Sequence, residues 1–82
     1  MVEKKEVLNF IRKKCQEEGV ETKPRIVEMA RDLNAKEDDI IEIVKDMESD
    51  GLIEYVSSAP SESHICPVDL DRIFKDTLYE DR

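Results

Sequence analysis

Eighty-two residues allow one domain, and a chain of this size buries only about 60 to 65% of its unfolded surface, so nearly every apolar residue must serve the core. The apolar fraction is 39% and the charged fraction 41%, but the apolar residues are spaced for helices, so a folded domain with a charged surface is expected rather than disorder. The net charge of −8 weighs against nucleic acid, and two cysteines, Cys15 and Cys66, are too few for a disulfide framework.

Charge is unevenly spread. Residues 1–31 hold eight Lys or Arg against six acids, whereas residues 32–82 hold five against fifteen. Affinity for a polyanion would therefore have to reside in the first third. No basic-then-apolar leader precedes the first helix, and no apolar run approaches the roughly 18 residues of a membrane span. The expectation is a cytoplasmic protein with reduced thiols.

The first helix is predicted over Val2 to Glu18. Val7, Leu8, Ile11 and Cys15 form its apolar stripe, with Phe10 at the margin and Gly19 supplying a left-handed cap. Its polar face mixes Lys4, Lys5, Arg12, Lys13 and Lys14 with Glu3, Glu6, Glu17 and Glu18, the pattern of a solvated surface. A second helix is expected to begin at Thr22 as N-cap with Pro24 in its first turn. It buries Ile26, Met29, Ala30 and Leu33 before a turn at Asn34-Ala35.

The third helix, Lys36 to Asp50, places Ile40, Ile43, Val44 and Met47 inward. Lys36 is a weak cap, but Glu37, Asp38 and Asp39 suit the positive end of the helix dipole. Gly51 stops the helix and Leu52 folds back on its last turn. Ile41 is out of phase and lies beside Lys45 and Glu48, either as a shielded boundary residue or as a partner contact.

Residues 52–56 read as a strand, 57–63 as a turn-rich connector, and 64–66 as a returning strand ended by Pro67. Asp69 caps a final helix extending to about residue 80, with Leu70, Ile73, Phe74, Thr77 and Leu78 on one face. That face either completes the core across the first helix or, through Leu70, Ile73, Phe74 and Leu78, packs on a symmetry mate. The chain is accordingly expected to be a monomer or a homodimer.

The order helix, helix, turn, helix, Gly-Leu-Ile strand, loop, strand resembles the winged helix-turn-helix domains of prokaryotic and archaeal transcription regulators. The matching residues run from Ile26 to Ala35, then Ile40, Val44, Met47 and Asp50-Gly51-Leu52-Ile53, within a span of Val7 to Cys66. The resemblance implies an α+β, mostly helical fold: a winged-helix core over residues 2–66, made of three helices and a two-stranded β-hairpin wing, and an additional C-terminal helix. It also implies DNA binding, with the third helix in the major groove and the wing on the backbone. The sequence departs from that pattern at both contact elements. Residues 36–50 carry seven acids against Lys36 and Lys45, and the connector carries Glu62 and no cation. A phosphate backbone would repel that helix.

Two function classes follow. The first is a non-enzymatic protein-interaction module in which Glu37, Asp38, Ile41, Glu42, Lys45 and Glu48 meet a basic partner. The second is a DNA-binding regulator using Lys4, Lys5, Arg12, Lys13, Lys14, Lys23 and Arg25. Metal binding draws only on Cys15, His64 and Cys66, short of the four ligands of a structural zinc site, and Gly19 and Gly51 are both spent on helix ends rather than a phosphate loop. No cofactor, metal or catalytic set is expected.

Overall fold

The computed structural model describes residues 2–57 and 62–75. Along the chain these form α1 (Lys4–Glu18), α2 (Ile26–Asp32), α3 (Glu37–Ser49), β1 (Ile53–Val56), β2 (His64–Pro67) and α4 (Leu70–Ile73). The described residues are thus α+β, with four helices and one antiparallel hairpin.

Helix α1 starts two residues later than expected. The Glu6 carboxylate reaches back to accept the Glu3 N–H at 2.9 Å, which fixes Glu3 as the residue before the first turn. Val7, Leu8, Ile11 and Cys15 are buried as their spacing requires, and Phe10, placed at the margin by that spacing, is buried with them. Gly19 ends the helix at φ +94°, ψ 169°, not in the left-handed helical region but in one that glycine alone readily occupies.

The start of α2 departs furthest from the sequence reading. Thr22 caps nothing there: it is buried, and its hydroxyl donates to Glu18 Oε1 at 2.8 Å. The segment through Pro24 and Arg25 runs extended beside β2, where the Ile65 N–H donates to the Pro24 carbonyl (3.0 Å) and the N–H of Ile26, the first residue of α2, to the Ser63 carbonyl (2.9 Å). Arg25 bridges to His64 within the same pairing and stands, extended, just before the helix. Two long-range backbone bonds outweigh the local capping signal, and Pro24, which has no N–H to satisfy, loses nothing by lying there.

Both helix-to-turn corners use the same device. After α2, Asn34 adopts φ +52°, the Ala35 N–H donates to the Ala30 carbonyl at 2.9 Å, and the Asn34 N–H to that of Arg31 at 3.3 Å. After α3, Gly51 adopts φ +80°, the Leu52 N–H donates to the Met47 carbonyl at 3.1 Å, and the Gly51 N–H to that of Glu48 at 2.9 Å. These are paired C-terminal caps that recover otherwise orphaned carbonyls, and Leu52 is carried into the core by the second. A Cβ on Gly51 would meet no atom within 4 Å, so its substitution is felt through the backbone alone. Gly51→Ala is expected to lose about 1 kcal/mol in urea unfolding, and Gly51→Asn less, because asparagine tolerates this conformation better.

The core is one cluster: Leu8 and Ile11 from α1, Ile26 and Met29 from α2, Ile40, Val44 and Met47 from α3, and Leu52, Ile53, Ile65 and Ile73 from the remainder. Each such side chain contributes about 1.5–3 kcal/mol by leaving water. In the hairpin, Ile53 pairs with Pro67, Glu54 with Cys66, Tyr55 with Ile65 and Val56 with His64. The first strand begins after Leu52 because Leu52 completes the α3 cap, and its carbonyl accepts the N–H groups of Val68 and Asp69, both at 3.0 Å. Pro67 belongs to β2 rather than ending it beforehand, at a last position where a missing N–H is tolerated.

The Asp69 carboxylate accepts the Arg72 N–H at 3.2 Å and opens α4 as expected. Within the described residues α4 is a single turn, with Phe74 at its end, rather than a helix running on to about residue 80; Thr77 and Leu78 lie outside the described residues. Arg72 donates to the Asp50 carbonyl at 2.8 Å and Arg12 of α1 to the carbonyls of Ile73 and Lys75, so α4 is tied to both neighbours. No helix among the described residues is long and apolar enough to cross a membrane.

Candidate interaction surface

Helix α3 buries Ile40, Val44 and Met47, which leaves Asp38, Glu42 and Lys45 on the opposite, exposed face; Glu37, also exposed, is the first residue of the helix and stands at its N-terminal end beside the α2–α3 corner. The side chains of Glu37, Asp38 and Glu42 make no hydrogen bond or ion pair with any described residue. The rest of the expected set behaves differently. Ile41 is half-buried and packs against the core, the boundary alternative of its two readings. Glu48 turns toward the hairpin, where its carboxylate accepts the Tyr55 N–H at 3.0 Å. Asp46, on the other flank, is ion-paired with Lys4.

The basic candidates also divide, and the structure does not bring all seven to one surface. Lys4 is drawn to α3 by Asp46. Lys14 bridges α1 to α2 through Glu28 at 2.8 Å and also reaches Glu18 at 3.4 Å, with its ammonium 5.6 Å from the Phe10 ring centre. The Glu28 hydrogen bond is the main cause that raises the Lys14 pKa, while the Thr22 hydroxyl and then Lys14 hold Glu18 below the usual carboxylate range. Arg12 is committed to the carbonyls at the end of α4 and to the Asn9 side chain, because those carbonyls need donors and its planar guanidinium can serve several at once. That leaves Lys5, Lys13, Lys23 and Arg25, all exposed. Lys23 and Arg25 flank the buried Pro24 in an extended segment, so both point outward from the same side of it, next to β2.

Of the residues offered as a dimer face, Ile73 is fully buried within the single chain and Leu70 packs against the core. This corrects Ile73 as an interface residue: one turn of helix held by Asp69 and Arg12 points it inward. Phe74 remains 38% exposed, and Leu78 lies outside the described residues.

The remaining chemistry is dispersed. Cys15 sits in the core, where burial pushes its thiol pKa up and keeps it protonated. His64 and Cys66 flank the buried Ile65 and share the outer face of the hairpin, with His64 Nδ1 2.9 Å from the Glu62 carbonyl. Among the described residues no group of three or more His, Cys, Asp or Glu is placed to hold a metal ion. A shallow groove at the α2–α3 corner is lined by Val27, Ala30, Arg31, Ala35, Lys36 and Glu37 and stands open to solvent.

Sequence reasoning missed the Glu48 and Arg12 contacts. Glu48 left a faint signal, since a helix, a glycine stop and a strand bring residues 48 and 55 together around one corner. Arg12 left none, the carbonyls it binds at the end of α4 lying more than sixty residues away. Comparison with protein-family models, with curated proteins and with solved structures finds no match for the chain.

Proposed function

We propose that the chain is a non-enzymatic winged-helix module, of the kind that transcription regulators carry, and that it acts in the cytoplasm through protein–protein contacts made by the solvent face of α3. In this reading α1, α2 and α3 are the three-helix core, the β1–β2 hairpin is the wing, and the partner presents a basic surface. The observation that carries it is the division of charge. Lys4, Arg12 and Lys14 are consumed inside the domain, whereas Glu37, Asp38 and Glu42 stand exposed on the helix that would otherwise enter a DNA groove. An acidic face of this kind repels phosphate and attracts cationic side chains, which speeds encounter and selects partners.

A DNA-binding reading has one observation in its favour, the outward pair Lys23 and Arg25 beside the hairpin, with Lys5 and Lys13 elsewhere exposed. Four cations can anchor only a weak, salt-sensitive phosphate contact. Reversing Glu37, Asp38 and Glu42 to lysine separates the two: a basic partner is lost, whereas DNA affinity rises.

A further inference from the structure

The hairpin has two long edges, and the register shows how each is closed. Tyr55 stands opposite Ile65, and the two direct their backbone groups away from each other. On the β2 side the Ile65 N–H donates to the Pro24 carbonyl, so the extended segment before α2 completes that edge with backbone. On the β1 side the Tyr55 N–H donates to the Glu48 carboxylate at 3.0 Å, so a single side chain stands where a third strand's carbonyl would be. One edge is closed by chain, the other by one carboxylate.

We propose that Glu48 is an edge guard: it fastens the hairpin to α3 and prevents β1 from pairing with β1 of a second copy of this chain. The occupant follows from the geometry of the edge. A strand whose residue 55 turns both its N–H and its C=O outward is self-complementary about that residue. Two copies set antiparallel, Tyr55 opposite Tyr55, can exchange both bonds around a two-fold axis. The strand reads Ile-Glu-Tyr-Val, rich in the β-branched and aromatic types that favour such pairing. Unblocked edges are what folded proteins cover with charge, and a carboxylate on the edge donor does so twice, by taking the hydrogen bond and by placing like charges face to face across the would-be interface.

The test uses the full chain and four forms: wild type, Glu48→Ala, Glu48→Gln, and Glu42→Ala as a control that removes the same charge from the same helix without touching the edge. Amide hydrogen exchange is read at Tyr55, and solution mass by light scattering over a concentration series. Glu48→Ala is expected to speed Tyr55 exchange about tenfold and to raise the average mass with concentration. Glu48→Gln, which keeps an acceptor oxygen, should retain part of the protection, and Glu42→Ala should match wild type in both readouts. Unchanged Tyr55 exchange in Glu48→Ala would overturn the proposal. So would faster exchange with a mass that stays at the wild-type value, or equal self-association in Glu42→Ala, which would assign the effect to net charge alone.

Discussion

Ile73→Ala is expected to destabilise the domain by about 3 kcal/mol, with the loss independent of protein concentration. Ile73 is fully buried within one chain, on a helix of one turn whose start is capped by Asp69 and whose end is held by Arg12. Truncation leaves a cavity that α4 can close only by moving as a unit, and the Arg12 and Arg72 contacts oppose that movement. A domain of this size is stable by roughly 4–12 kcal/mol, so the loss is a large fraction of the whole. Urea unfolding at two protein concentrations checks it. A transition that shifts with concentration in wild type and ceases to in the variant would place Ile73 at an interface between chains instead.

The triple charge reversal of Glu37, Asp38 and Glu42 to lysine should lower affinity for a basic partner by about a hundredfold, on the order of 1 kcal/mol for each reversed charge. The fold should survive. None of the three is paired with a described residue, and only Glu37 and Asp38 lie in the first turn of α3. There their loss costs about 1 kcal/mol through the helix dipole. Glu42, mid-helix, has no such role, so Glu42→Lys alone should weaken binding with an unchanged melting curve. Isothermal titration with the partner, alongside thermal melts, separates the two effects. Undiminished affinity in the triple variant would remove α3 from the interface.

The architecture was legible where the physics is local. The 3.6-residue spacing of Ile40, Val44 and Met47 marks a buried face, and Gly51 followed by Leu52 is a helix end that needs both a positive φ and an apolar residue to fold back. Asp69 before α4 is a local cap of the same sort. What escaped the sequence is what two distant segments decide together. Thr22 and Pro24 carry a sound helix-start signal, yet Ser63 and Ile65 offer the same stretch two backbone bonds, and the helix begins later. The charges followed the same rule. Lys14, Lys4 and Glu48 sit on faces that look solvated, and only the packing of α1 on α2 and α3, and of α3 on the hairpin, shows that each has a partner. The acidic ridge was visible as composition; which of its members remain free was not.

The claim that α3 recognises protein rather than DNA is tested most directly by fluorescence anisotropy of labelled duplex DNA titrated with the wild-type chain across a salt series. At about 50 mM salt, where counterion release makes phosphate contacts strongest, the expected result is no saturable binding. Saturable binding that weakens with added salt and disappears in a Lys23→Glu, Arg25→Glu variant would contradict the account and move the working surface from α3 to the segment before α2.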